Sequence, residues 1–213
     1  TDSLHSAFTP WQYEKMREKK YREINDALLP IHLLVAGMLI VFMAFAPEVM
    51  KIIADEQYHE AVYAIPPISS SILFISLYGF YSNAEFYLDA NKFSSMMTLI
   101  GAVLNIILNA VFIQWFGFIA AGYTTLVCYT IFAYAHLIYT NIIAGEKIGK
   151  KIFSFSHLLL LTISIYSAAV IMSCLYEYML IRYFIIIVMC AILAIKRKAI
   201  VMLLKNINKK KEN

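Results

Sequence analysis

"GAVLNIILNAVFIQWFGFIAAGYTT", residues 101–125, lies inside a stretch, 93–145, that contains no Asp, Glu, Lys or Arg. One bilayer crossing takes about 20 uncharged residues, because a helix rises about 1.5 Å per residue through about 30 Å of hydrocarbon. The stretch is therefore long enough for two crossings, and Gln114-Trp115-Phe116-Gly117 marks the turn between them. Applied outward from this hairpin, the same rule predicts six spans, at 28–46, 64–88, 93–116, 118–144, 153–176 and 178–195. Composition agrees: 61% of the 213 residues are hydrophobic and 15% are charged, against about 25% charged in soluble domains. The predicted fold is all-α, a polytopic membrane helix bundle. Its parts are a cytoplasmic interfacial helix with the end of a preceding span or loop (1–26), a core of helices (27–145), an additional two-span hairpin (146–198) and a basic cytoplasmic tail (199–213).

The positive charges test this partition, since Lys and Arg gather on the cytoplasmic side of a membrane protein. With the N-terminal side inside, 16 of the 18 Lys and Arg residues fall on the inner side and only Lys51 and Arg182 fall outside. The net charge of +4 is thus explained by topology, with an added attraction of the "KNINKKK" tail for anionic lipid heads. No groove of basic and aromatic residues accompanies it, so nucleic acid is not an expected partner. Arg182 lies near the end of the last span and is expected to snorkel to the interface. In "WQYEKMREKKYREIND" (11–26), Trp11, Tyr21, Ile24 and Leu28 follow one loose helical stripe, with Glu18 and Arg22 spaced as an i,i+4 pair.

The chain starts at Thr1, and its apolar runs are too many and too long for a signal peptide. It reads as a fragment, or as a product whose upstream half is missing. Cys128, Cys174 and Cys190 sit in apolar runs without CxxC or Cys/His spacing, so they are expected to be core thiols, and neither a metal nor a cofactor is expected. In the loop "KIIADEQYHEAVY", Asp55 and His59 would share a helix face, but no second histidine lies nearby and a solvated cap explains the loop as well.

Polar residues inside the spans carry the functional signal, because an amide in hydrocarbon must bond to another helix or face a wet cavity. Gly101, Asn105 and Asn109 form one i,i+4 stripe close to mid-span. It reads either as helix packing or as the lining of a central hydrated cavity. A second stripe, Ser71, Tyr78, Ser82 and Glu85 with Asn83 beside it, runs along 64–88. Glu85 is either an interfacial carboxylate near Asp89 or an inward group placed to bind a proton or cation. His32 and His136 stand alone in their spans and are expected to donate to carbonyls. With no GxSxG elbow, Ser/His/Asp arrangement, phosphate loop or HExxH, the residues do not point to an enzyme.

The hairpin also carries a resemblance. Asn105, Leu108-Asn109, the turn at 114–117, Ala120-Ala121-Gly122 and Thr124-Thr125 resemble the "N..LN….G..GAA.aT" hairpin of bacterial polysaccharide flippases. These are the O-antigen (lipopolysaccharide) and teichoic-acid exporters of the multidrug/oligosaccharidyl-lipid/polysaccharide superfamily. "SAFTPWQYEKM" (6–16) is similar to the family's "a..Pw.y..l" segment, "APEVMKIIADEQYHEAV" (46–62) to its "ap.ii.ll.g..y..a" loop, and "YLDANK" (87–92) to its "l.a..k" turn. The order matches over about residues 6–145. One departure is that Gly122 follows the Ala pair where the family has Gly before it.

The resemblance implies that the chain is the C-terminal lobe of a two-lobe transporter in the bacterial cytoplasmic membrane, with both its termini cytoplasmic. Its cargo would be an undecaprenyl-diphosphate-linked oligosaccharide, moved by alternating access for surface polysaccharide biosynthesis. Asn105, Asn109, Tyr78, Ser82 and Asn83 are then the substrate-cavity candidates and Glu85 the candidate for ion or proton coupling. The implied partners are membrane lipids, the lipid-linked oligosaccharide and an N-terminal lobe, which would supply the cationic groups for the diphosphate. The alternatives are a drug or metabolite antiporter of the same superfamily, a membrane glycan polymerase or transferase, and a non-transporting structural subunit.

Overall fold

The computed structural model describes residues 2–197; the basic tail at 199–213, with its "KNINKKK", lies outside the described residues. The chain is a helix bundle, with no strand among the described residues. Its helices are α1 (Asp2–Arg17), α2 (Tyr21–Ile53), α3 (Ile65–Tyr87), α4 (Asn91–Phe116), α5 (Ala120–Ile148), α6 (Phe155–Cys174) and α7 (Met179–Ile195), with a 3-10 segment at Glu56–Ala64 between α2 and α3. Five helices, α2 to α6, are long and apolar enough to cross a membrane. α7 is apolar but has 17 residues, about 25 Å of rise, somewhat less than the hydrocarbon thickness.

α3 is the central helix, packed against α1, α2, α4, α5 and α6. Pro66 and Pro67 occupy its first turn, where their missing N–H groups cost no helical hydrogen bond. Phe74, Leu77, Phe80 and Tyr81 on this helix are at most 1% exposed and fix the middle of the core. α4 is peripheral: apart from Met97 and Gly101 its residues keep substantial exposure.

Gly117 closes the α4–α5 hairpin at φ 74°, a left-handed backbone that favours glycine. Its N–H donates to Ile113 O at 2.9 Å. Gly122 is not part of this turn. It lies in the first turn of α5, where an added Cβ would stand 3.1 Å from both Ala64 O and Pro67 Cγ, so it serves the close approach of α5 to the start of α3.

Side-chain contacts sort the helix ends into two groups. At one end the Tyr13 and Tyr87 rings meet at 5.6 Å, Lys147 Nζ donates to Leu88 O, and Asn25 Oδ1 accepts from Ser154 N at 2.8 Å. At the other end Tyr63 meets Tyr176 at 5.6 Å. Lys15 to Arg22, Lys92, Lys147, Lys150 and Lys151 all belong to the first end, and Lys51 and Arg182 to the second.

Two expectations about the charged residues are corrected. The 11–26 stripe is broken, because the helix stops after Arg17 and Lys19 takes φ 59°. Trp11 therefore belongs to α1, which packs on α3, where Gln12 Nε2 donates to Phe80 O at 2.8 Å, while Tyr21, Ile24 and Leu28 belong to α2. Glu18 pairs with Lys15 and Lys20 rather than with Arg22, which pairs with Asp26. Arg182 does not snorkel. It is 2% exposed and reaches across to α2, where its two terminal nitrogens each lie 2.7 Å from a Glu48 carboxylate oxygen and Nη1 donates to Ala44 O at 2.5 Å.

Lys15 bridges the break between α1 and α2 through Glu23 at 2.6 Å. The hydrogen bond to Glu23 raises the Lys15 pKa above 10.5, against a smaller opposing effect of burial. A raised lysine contributes stability that is complete below pH 10.5 and is lost as pH rises through the folded value. Lys15→Met keeps the apolar stem and removes the pair. Limited trypsin digestion at neutral pH is expected to cut the 17–20 turn several-fold faster in this variant.

Candidate functional site

Where α3, α4 and α5 meet they leave a cavity of about 400 Å³. Its polar lining comes from all three helices: Tyr78 of α3, Thr98 and Asn105 of α4, Thr125 and His136 of α5. Among the described residues no carboxylate, Lys or Arg lines it. Tyr129 stacks on Tyr78 with centroids 6.2 Å apart and planes at 11°, and Phe132 stands edge-on to Tyr78 at 89°. These rings form one wall.

Gly101 sets how closely α4 approaches. A Cβ there would fall 1.4 Å from Phe132 Cζ, so the ring occupies the space a larger residue would need. The close-approach reading of this glycine is thus explained by one ring of α5.

The asparagine stripe divides between its two readings. Asn109 is a packing residue: its Nδ2 donates to Asn105 Oδ1 at 3.0 Å, and its Oδ1 accepts from Thr124 Oγ1 at 2.5 Å. Asn105 lines the cavity while its Nδ2 donates to Cys128 Sγ at 3.7 Å. The amides therefore form a chain of hydrogen bonds that staples α4 to α5 and ends at the cavity. In this setting an interhelical hydrogen bond is worth about 1 kcal/mol.

The α3 stripe divides too. Tyr78 lines the cavity, but Ser82 is engaged with Ser94 of α4 at 2.7 Å, and Ser71 donates to Ile68 O of its own helix at 2.6 Å. Asn83 faces α1, donating to Thr9 Oγ1 at 2.9 Å. The two serines and Asn83 are outside the cavity lining. At about 100° per residue the four stripe residues share an arc of about 60°, so they divide by their level along α3 and the partner met there, whereas Asn83, next to Ser82 in sequence, points about 100° away from it.

Glu85 is the inward group of its two readings. It is 0% exposed, with Oε1 2.9 Å from His136 Nδ1 and accepting from Thr140 Oγ1 at 3.0 Å. Its Oε2 has no partner among the described residues. This corrects the expectation for His136, whose ring takes a carboxylate rather than a carbonyl and also lines the cavity. His32 follows the expectation: Nδ1 donates to Leu28 O at 2.9 Å, and Nε2 lies 3.2 Å from Ser76 Oγ.

The Glu85–His136 and Glu48–Arg182 pairs span 51 and 134 residues, and no local spacing announces either. One signal was present for the first: Glu85 is the only acid in 64–88, and His136 the only imidazole in 93–145. Buried ionisable groups in a membrane bundle pair with one another.

In the 51–63 loop His59 Nε2 bonds to Ala54 O at 3.2 Å, and no group of three His, Cys, Asp or Glu residues able to hold a metal occurs among the described residues. Cys128 is buried, as expected of a core thiol; Cys174 and Cys190 are exposed on the bundle surface, where an apolar environment would be lipid. Compared with protein-family models, curated proteins and solved structures, the chain matches none of them.

Proposed function

We propose that the chain is one lobe of a flippase for lipid-linked oligosaccharides in the bacterial cytoplasmic membrane, with the basic end of the bundle facing the cytoplasm. The observation that carries this reading is the cavity between α3, α4 and α5. It is polar and aromatic, with no carboxylate, Lys or Arg among the residues that line it, and it sits on a hairpin whose sequence resembles that of the flippases. Asn105, Thr98, Thr125 and His136 offer hydrogen bonds, and the Tyr78–Tyr129 wall offers an apolar face. Hydroxyl-bearing cargo needs both. A diphosphate needs cations that this wall does not hold, so its contacts belong to a second lobe, against which this one would rock.

The test is complementation of a flippase-null strain by the two-lobe exporter. Asn105→Leu is expected to reduce surface polysaccharide at least tenfold per molecule of membrane-inserted exporter, beyond any fall in abundance from losing its bonds to Asn109 and Cys128. Asn109→Leu is expected to lower abundance while the surviving molecules still export, because Asn109 only staples the hairpin. Unaltered export per molecule in Asn105→Leu would contradict the reading.

A further inference from the structure

We infer that Glu85, His136 and Thr140 form a proton-binding site that reports its occupancy to the cavity. The binding step stands on the geometry alone; only its consequence for transport rests on the flippase reading.

The first reason is charge. A carboxylate beside a neutral imidazole carries one negative charge in a site where Glu85 is 0% and His136 2% exposed, and an uncompensated buried charge is strongly disfavoured. One added proton makes the pair neutral overall, either as carboxylate with imidazolium or as carboxylic acid with imidazole. The second reason is an open position. Glu85 Oε1 has two partners and Oε2 has none. The third is a hydroxyl with more acceptors than hydrogens. Thr140 Oγ1 lies 3.0 Å from Glu85 Oε1, 3.3 Å from Tyr81 O and 2.7 Å from His136 O, so its single hydrogen can favour the carboxylate when that is ionised and a backbone carbonyl when it is not.

The ligand is a proton rather than an alkali cation. Sodium needs several converging oxygens, whereas here an imidazole nitrogen already occupies the Glu85 oxygen that Thr140 shares. Among the described residues no Lys, Arg or second carboxylate is hydrogen-bonded or ion-paired to the trio. From α3 the trio is bordered by Tyr78, 5.5 Å from the His136 ring, and by Tyr81. Phe93 of α4 stands edge-on to the imidazole at 5.4 Å, and Phe153, next to α6, covers Tyr81. α1 and α2 engage α3 through Gln12 at Phe80 O and His32 at Ser76, on neither member of the pair. At the helix ends Lys147 is bound to Leu88 O. Because His136 both lines the cavity and meets Glu85, a proton held on the ring changes what the cavity wall offers, from an imidazole able to accept to an imidazolium that only donates. The proton comes from water in the cavity and returns to it; no bond other than O–H or N–H forms or breaks.

The experiment is a titration of the purified chain in lipid vesicles, read by infrared difference spectroscopy of the carboxyl band and by nitrogen NMR of labelled histidine, from about pH 4 to about pH 9. A carboxyl step and a histidine step that move together are expected, both unchanged when sodium is replaced by choline. Glu85→Gln should remove the carboxyl step that moves with histidine and shift the His136 signal. If that variant fails to fold, Thr140→Val, which keeps both titrating groups, should still displace the two steps. Survival in Glu85→Gln of the carboxyl step that moves with the histidine step, steps that ignore Thr140→Val, or steps that follow sodium concentration would overturn the proposal. Coupled titration in a protein that exports no glycan would leave this site standing and remove the flippase reading instead.

Discussion

Arg182→Leu is expected to destabilise the bundle by about 3 kcal/mol, and Glu48→Leu by a similar amount, measured as loss of detergent-solubilised folded protein on heating. Breaking a buried ion pair costs about 3–5 kcal/mol because one charge is left without its partner. The lower end applies here, since Glu48 keeps 26% of its side chain exposed. The effect should fall on α7. Among its neighbours only α2 makes an extensive contact with it, and its only buried residues are Arg182 and Ile186. Removing the guanidinium takes away two bonds to Glu48 and one to Ala44 O. The double variant Glu48→Leu/Arg182→Leu removes both charges together and should recover most of the loss, as apolar replacements of buried pairs do. Recovery no better than the sum of the single variants would mean that the residues act independently.

Gly101→Leu is expected to separate α4 from α5. A Cβ at this position meets the Phe132 ring at 1.4 Å, and that ring is not free to leave. It is 9% exposed and held edge-on by Tyr78 at 6.2 Å and by Tyr129 at 5.8 Å. Overpacking of this kind costs about 1–3 kcal/mol. The cavity is lined by Gly101 itself, so the added side chain also fills it. Membrane abundance should fall modestly while export by the two-lobe protein falls at least tenfold. Phe132→Ala placed beside Gly101→Leu gives the new side chain room and should restore abundance. Export unchanged in Gly101→Leu would separate the cavity from transport.

The helix bundle was legible because its signal is additive. Runs of uncharged residues of fixed length mark spans whatever their neighbours are, and the boundaries from 64 to 195 differ from the helix ends by only a few residues. Length alone misjudged the first span, since α2 continues for 33 residues through Glu48, a residue that lipid would exclude but that Arg182 neutralises.

The site was legible in part because polarity within a span shows that a residue needs a partner but not where that partner is. Tyr78 of α3 and Asn105 of α4 came together at one cavity; Asn83 and Ser82 were drawn to α1 and α4 by hydrogen bonds to residues 74 and 12 positions away. Glu85 had two readings until His136 and Thr140 decided between them. A pair 51 residues apart becomes visible only when packing brings α3 against α5.

In a flippase lobe of this kind α4 has one wet face and one lipid face. Single cysteines at positions 98 to 107 in the membrane-inserted chain, with Cys128 replaced by serine and Cys174 and Cys190 by alanine, can be challenged with a polar maleimide. Thr98→Cys, Ala102→Cys and Asn105→Cys should react at least tenfold faster than Leu99→Cys, Val103→Cys and Ile106→Cys, because the first three line the cavity and the others are exposed on the outer side of the helix. Equal reactivity around the helix, or a protected Asn105→Cys beside a reactive Ile106→Cys, would contradict it.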